Sequence, residues 1–192
     1  MIQLEPLLDW VYSKNRLKKW LVQGVLVSGT AYFGPQNGLS NLSAEEFAYT
    51  EAAFEQYMAD EKEEQLHRLF AILYRKGHWW NGKRPVFDAE KLEKNIRRTK
   101  SVKLFVKRAV MLNYAGCRNF IISAHPHIWK QVMQDKLNPT FKPQFTRWLA
   151  IFMNLAGDKF GTYAQTLKTD VWLVLTDMES KAKQAEELEA RS

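Results

Sequence analysis

Hydrophobic side chains recur at helical spacing through most of the chain. Leu66, Leu69, Phe70 and Leu73 follow the i, i+3, i+4, i+7 pattern of one buried helix face. The same period continues in residues 47–58, 92–96, 102–112, 145–155 and 171–182. The pattern predicts a mostly α, multi-helix domain. The apolar residues expected in its core are Phe47, Phe54, Leu66, Leu69, Phe70, Leu73, Phe105, Leu112, Trp148, Phe152 and Leu175.

Several short motifs mark where the predicted helices begin. Ser43 and Glu46 have the spacing of a capping box, in which each side chain bonds a backbone N–H at the helix start. Asp88 and Asp170 are expected to cap two later helices, and Pro126 fits the first turn of another. These signals are independent of the hydrophobic period, and they place helix starts where the period also begins.

The first forty residues follow a different pattern. Residues 20–33 are rich in Val, Gly, Thr and aromatic residues, which predicts a pair of strands or an irregular arm. The Gly-, Pro- and Asn-containing residues 34–41 predict a boundary. We therefore predict an N-terminal arm at residues 1–41, irregular or a short β-hairpin, and a helical domain at residues 42–182. Residues 183–192 have almost no apolar face and are predicted to be a charged, mobile C-terminal tail.

Composition restricts the class of protein. The chain has 192 residues, and its 13% aromatic content excludes a mostly disordered protein, because such chains lack bulky groups to bury. Apolar runs fall short of the ~20 residues that cross a bilayer, and the first residues lack the basic leader of a secretory signal. A single cysteine forms no intrachain disulfide. We therefore expect neither membrane insertion nor secretion, and a cytoplasmic location.

Charge is distributed in two blocks of opposite sign. Residues 75–108 contain twelve Lys and Arg against three Asp and Glu, whereas residues 44–66 contain eight acids and one base. Such blocks can pair with each other, with a second copy of the chain or with another partner. The predicted partner-binding residues are Glu45, Glu51, Glu55 and Glu64 on an acidic face, and Arg97, Arg98, Lys103 and Lys107 on a basic face.

The basic block leaves a second interpretation open. Its cations lie near Trp79 and Trp80 in the sequence, and cations with aromatic side chains can contact phosphates and stack on bases. The alternative function is therefore a helical nucleic-acid-binding protein that uses residues 91–108. In a third interpretation, the charged faces only keep an intracellular helical protein in solution.

Residues that often carry chemistry are present, but they lack the spacing that chemistry requires. His125 and His127 are two residues apart, so they do not share a helix face, and no further ligand motif accompanies them. Cys117 is expected to be a buried structural thiol. The glycines form no P-loop, and no Ser-centred nucleophile elbow is present in the sequence. We predict no catalytic residue, no cofactor and no metal site, and therefore no enzyme.

Three segments resemble proteins of tailed bacteriophages and prophages. EQLHRLFAILYR (residues 64–75) and NYAGCRNFI (residues 113–121) resemble two helices of those proteins, and residues 155–192 resemble their C-terminal end. The resemblance covers about half of the chain, and its motifs are not catalytic. It implies a non-enzymatic morphogenesis protein that is found in the host cytoplasm or in the virion.

Two roles follow from that resemblance. A tail-assembly chaperone coats a tape-measure protein through apolar grooves between its helices and then leaves. A minor virion component instead stays in the tail, or in a connector ring at the head–tail junction. The implied partners are other phage structural proteins, a tape-measure-like protein or further copies of the chain in a ring.

Overall fold

The computed structural model describes residues 15–77, 84–130, 147–157 and 159–190 of the chain. The strands are β1 (Gly24–Val27), β2 (Thr30–Phe33) and β3 (Arg75–Lys76). The helices are α1 (Ala44–Asp60), α2 (Glu63–Leu73), α3 (Leu92–Thr99), α4 (Leu104–Ala124), α5 (Arg147–Asn154), α6 (Tyr163–Lys168) and α7 (Val171–Glu189). Residues 126–130 are also helical, and short 3-10 helices cover Asn37–Leu39 and Ala89–Lys91. The predicted fold class, mostly α with a short β-hairpin near the N-terminus, is confirmed.

The helix starts follow the capping signals of the sequence. The Ser43 hydroxyl accepts a hydrogen bond from the Glu46 backbone N–H at 3.2 Å, which begins α1. The Asp170 carboxylate accepts from the Trp172 backbone N–H at 2.8 Å and begins α7. Only half of the predicted capping box forms, because the Glu46 carboxylate is bonded to two arginines instead of the backbone.

The starts of α1 and α7 are joined by backbone hydrogen bonds. The Ala44 N–H donates to the Thr169 carbonyl, and the Val171 N–H donates to the Leu42 carbonyl, both at 2.9 Å. This pairing satisfies two N–H groups that a helix start would otherwise leave without an acceptor. It also fixes the last helix beside the first, although they are more than a hundred residues apart in the sequence.

The small sheet is built on a tight hairpin. Val27 pairs with Thr30 and Gly24 with Phe33, so the turn consists of Ser28 and Gly29. Both turn residues have positive φ, 48° and 75°, as a two-residue turn matched to the strand twist requires. β3 adds to the other edge of β2 directly after α2. The hairpin is therefore attached to the helical part through the sheet.

The residues before α1 share one hydrophobic core with the helices. Trp20 is 2% exposed, and its indole N–H donates to the Tyr74 hydroxyl at 3.1 Å. A Cβ at Gly34 would lie 2.6 Å from the indole nitrogen of Trp20, so only glycine fits there. Leu39 is fully buried in the same cluster. In the described part of the chain, the boundary predicted at residue 41 therefore does not separate an arm from a helical domain.

Most of the predicted core residues are buried. They are Phe47, Phe54, Leu66, Leu69, Phe70, Leu73, Trp148, Phe152 and Leu175, while Leu112 is half-buried. Phe105 was expected in the core and this prediction is wrong, because its side chain is 67% exposed. The buried face of α4 instead carries Lys107, Met111 and Tyr114, and Phe105 lies on the opposite side of that helix.

The last helix extends further than the apolar pattern indicates. α7 continues to Glu189, so residues 183–189 of the predicted tail are helical. Lys130 donates to Glu186 at 3.1 Å, which places the distal part of α7 beside residues 126–130. Residues 191–192 lie outside the described residues. A search of the described helices for a segment long and apolar enough to cross a membrane found none.

Candidate functional site

Two glutamates of α1 are buried in ion pairs inside the protein. Glu46 is 1% exposed and accepts from the Arg75 guanidinium at 2.8 and 3.0 Å and from the Arg84 guanidinium. Burial lowers the pKa of Arg84 to about 10, with Glu46 opposing that shift, so Arg84 remains charged at neutral pH. The two arginines balance the buried carboxylate, and the cluster ties α1 to the segments on either side of residues 78–83.

Glu51 does not belong to an acidic surface, so its prediction as a partner-binding residue is wrong. It is fully buried, and its Oε1 accepts from the Tyr114 hydroxyl at 2.6 Å and from Arg118 Nε at 2.7 Å. Burial and the Glu51 charge raise the pKa of Tyr114 well above its usual value. The position of Glu51 midway between Phe47 and Phe54 is the sequence signal of this burial, because all three share one helix face.

Lys107 is the second predicted surface residue whose side chain is buried and paired within the protein. Its side chain is 4% exposed, and its ammonium nitrogen lies 3.2 Å from Glu63 Oε1. The bridge joins α4 to the start of α2 at the rim of the core. Lys107 therefore cannot serve an external partner as predicted, because its charge already has a partner within the chain.

The other predicted acidic residues lie nearer to solvent. Glu64 is exposed, whereas Glu45 and Glu55 are half-buried. Burial raises the pKa of Glu45, and the neighbouring Asp88 carboxylate adds to that shift. Only Glu64 among the four therefore has the full exposure that the prediction assumed.

The other predicted basic residues are exposed. Within the described residues, Arg97, Arg98 and Lys103 form no ion pair, and the same is true of the exposed Lys94, Lys100 and Arg108. Lys91 differs from these cations, because Asp88 accepts from it at 2.6 Å. α3 and the start of α4 therefore present a row of cations whose charge the described part of the chain does not neutralise.

Part of this row borders an open groove of about 890 Å³, which we call the basic groove. Its walls are the end of α2, strand β3, residues 85–91 and α3, and one residue each comes from α1 and α6. Six cations line it, Arg75, Lys76, Lys91, Lys94, Arg98 and Lys168, together with three carboxylates, Glu45, Asp88 and Glu90. Phe87 and Leu92 supply buried apolar surface, and the Arg75 guanidinium lies 5.6 Å from the Phe87 ring. The groove combines net positive charge with an apolar base.

Two exposed apolar side chains each lie among charged residues: Phe105 lies among cations and Met58 among carboxylates. We call Lys103, Phe105 and Arg108 the basic patch, in which the Lys103 ammonium is 6.0 Å from the Phe105 ring centre. We call Met58, Glu61 and Glu64, at the corner between α1 and α2, the acidic patch. Met58 is 41% exposed there, and both glutamates are exposed.

The histidines and the cysteine have structural contacts. His125 is buried with its Nδ1 2.9 Å from the Ile121 carbonyl, and the His127 ring is bonded to Glu179. Burial raises the pKa of the Cys117 thiol to about 11, so the thiolate is scarce at neutral pH. Among the described residues, no group of three or more His, Cys, Asp and Glu side chains is arranged to hold a metal.

Some residues of the candidate site were not predicted from the sequence. Lys168 comes from α6, far along the chain from α3, and only the fold places it at the basic groove. The ion pairs of Glu46 join residues 29 and 38 positions apart, for which no local pattern exists. Trp79 and Trp80, which were considered for base stacking, lie outside the described residues.

Comparisons of the chain with protein-family models, with curated proteins and with solved structures found no match.

Proposed function

We propose that this protein is a non-enzymatic assembly or structural protein of a tailed bacteriophage or prophage, acting through protein–protein contacts. It serves as a tail-assembly chaperone or as a tail or connector component, in the host cytoplasm or in the virion. The resemblance of residues 64–75, 113–121 and 155–192 supports the phage class. The observation that carries the contact is the basic groove, where Lys94 and Arg98 form no ion pair within the described residues and suit a partner with carboxylates.

The mixed charge of the groove favours a protein partner. Glu45, Asp88 and Glu90 line the same walls as the cations, and a phosphate backbone that follows the groove would meet their negative charge. An acidic protein segment can place carboxylates on Lys94 and Arg98 and a cationic or polar side chain on Glu90. Val86, which is 77% exposed and lines the groove, gives such a segment apolar surface to cover.

The alternative, a helical nucleic-acid-binding protein that uses residues 91–108, is favoured by one observation. Arg97 and Arg98 are exposed in the last turn of α3, Lys103 is exposed directly before α4, and none of the three forms an ion pair within the described residues. Such cations can neutralise phosphates, and the released counterions make binding strongly dependent on salt.

Co-expression with the products of the neighbouring genes, one at a time, tests the proposed function. We expect an assembly partner to co-purify with the wild-type chain and to be lost from Lys94→Glu/Arg98→Glu. The matched control is Arg16→Glu/Lys19→Glu, which changes the net charge equally at exposed positions outside the groove. The control is expected to retain the partner.

A parallel titration with double-stranded DNA and single-stranded RNA distinguishes the alternative. Binding that falls steeply as salt rises and disappears in Lys94→Glu/Arg98→Glu, with no protein partner captured, would replace the proposed function by the alternative. Capture of a phage structural protein that the groove variant loses and the control keeps would support the proposed function.

A further inference from the structure

We propose that copies of this chain associate head to tail, with the acidic patch of one copy seated on the basic patch of the next. The two patches lie outside the basic groove, so this inference does not require the proposed function. It rests on exposure, charge complementarity and the directions in which the patches face.

The basic patch has the composition of a binding surface. Phe105 exposes 67% of its side chain in the first turn of α4, with Lys103 before it and Arg108 one turn after it. Both cations are exposed and form no ion pair within the described residues. An aromatic side chain surrounded by charged groups matches the anatomy of interfaces, where an apolar centre is enclosed by a polar rim.

The acidic patch repeats this composition with the opposite charge. Met58, 41% exposed, lies in the last turn of α1, and Glu61 follows it at the end of that helix. Glu64 is in the first turn of α2. Like the cations of the basic patch, Glu61 and Glu64 are exposed and form no ion pair within the described part of the chain.

Contact between the two patches would cover the exposed apolar side chain of each and pair their opposite charges. A methionine thioether packs favourably against an aromatic ring, and the flexible Met58 side chain can adapt to the surface of Phe105. The glutamates would then lie near Lys103 and Arg108, two carboxylates opposite two cations. Charge of this kind selects the partner and the orientation, while the apolar pair supplies buried area.

Within the described residues, no ion pair joins the two patches of one molecule. The ammonium of Lys107 reaches Glu63, at the start of α2, so this side of α4 faces the acidic corner. Phe105 precedes Lys107 by two residues, which turns its side chain roughly 160° away around the helix. Phe105, with the Lys103 ammonium near its ring, therefore lies on the side of α4 that is turned away from the acidic corner.

This arrangement determines the type of assembly. A contact between two different patches that face in different directions is heterologous, so a pair of copies keeps one free patch at each of its two ends. Such contacts continue into a closed ring or an open chain and do not stop at a dimer. The occupant of each patch is thus a second copy of this chain.

Sedimentation velocity of the purified full chain at low ionic strength tests the inference. We expect the wild-type chain to form species larger than a dimer, in amounts that rise with concentration. Lys103→Glu/Arg108→Glu and Glu61→Lys/Glu64→Lys are each expected to be monomeric, with association weakened at least tenfold. All four positions are exposed, and an unchanged thermal transition verifies that each variant is folded.

Mixing the two variants gives the sharpest result. Each retains one wild-type patch, and these patches are complementary, as are the two reversed patches, so the mixture should again form species larger than a dimer in which the two variants alternate. The variant with all four substitutions restores complementarity with reversed sign and should again form large species. Arg16→Glu/Lys19→Glu, with the same charge change elsewhere, should assemble as the wild-type chain does.

Several outcomes would overturn the inference. They are a wild-type chain that stays monomeric or stops at a dimer, single-patch variants that assemble normally, and a mixture of variants that does not pair. Because only this chain is present, these results do not depend on whether the basic groove captures an assembly partner. Failure of the wild-type chain to capture any assembly partner, with intact self-association, would contradict the proposed function alone.

Discussion

At the scale of single residues, the protein's buried charges are balanced by specific partners. Arg118 is 8% exposed, and a Glu51 carboxylate oxygen lies 2.7 Å from its Nε. Burial opposes the charged form of Arg118, but the charge and hydrogen bond of Glu51, together with Tyr114 and Glu55, outweigh burial and raise the pKa of the guanidinium. Each member of such a pair depends on the other, because a charge left alone in the interior loses its hydration without compensation.

Replacing Glu51 should therefore strongly destabilise the fold. Glu51→Gln removes the carboxylate that is hydrogen-bonded to the buried Arg118 guanidinium and should lower the free energy of unfolding by about 3–5 kcal/mol. Glu64→Gln, at an exposed position of the next helix, should change it by less than about 0.5 kcal/mol. Urea titrations of both variants measure the difference. Equal midpoints would show that the pair does not stabilise the fold.

The buried thiol predicts a pH dependence. Cys117 has a pKa of about 11 in the folded protein and about 8.5 when unfolded, so folding favours the protonated thiol. The stability contributed by this group is complete below pH ~8.5 and is lost as pH rises through about 11. The free energy of unfolding should therefore decrease more between pH 8 and pH 10 in the wild-type chain than in Cys117→Ala. Equal decreases would exclude this effect of the thiol.

At the scale of elements, helix faces determine which apolar residues stabilise the fold. Phe70 of α2 is fully buried and stacks on Tyr74 with 4.5 Å between ring centres. Phe105 of α4 is equally apolar but exposed, because the buried stripe of that helix passes through Lys107. The sequence period of α4 therefore assigns the wrong residue to the core.

The two phenylalanines form a matched pair for mutation. Phe70→Ala should lower the free energy of unfolding by about 3–5 kcal/mol, since it removes a buried ring and leaves a cavity. Phe105→Ala should change it by less than about 0.5 kcal/mol, because its ring is already mostly in water. Thermal or urea unfolding of both variants is the measurement. A similar loss in the two would place Phe105 in the core after all.

At the scale of the whole molecule, the residues before α1 and the helices fold as one unit. The indole N–H of Trp20 bonds Tyr74, at the end of α2, and Leu39 is buried in the same cluster. Cys117 of α4 lies under this segment, with its sulfur 3.3 Å from the Leu17 carbonyl. Removing the segment would expose one side of the helical core.

Two neighbouring residues test whether the segment before α1 and the helices fold as one unit. Trp20→Ala should cost about 3–5 kcal/mol of unfolding free energy, because Trp20 is 2% exposed. Leu21→Ala should cost much less, since Leu21 is 63% exposed. A chain that starts at Leu42 should lose the cooperative thermal transition. If that chain melts as the full chain does, residues 15–41 are an independent arm.

The sequence by itself determined the local features of this protein. The stripes of α2 and α5, the caps at Ser43 and Asp170, and the strand-rich character of residues 20–33 all depend on residues within a few positions of one another. Local interactions of this kind do not change when distant segments assemble. They were therefore sufficient to predict a mostly α fold with a hairpin.

Only the tertiary structure decided which charges are inside. Glu51 and Arg118 are 67 positions apart in the sequence and are buried together. The acidic residues around Glu51 in the sequence had predicted that it lies on the surface. Lys168 likewise reaches the basic groove only because α6 packs beside α1. The physical reason is that a charge is buried when a distant partner compensates its lost hydration, and the sequence around it does not specify that partner.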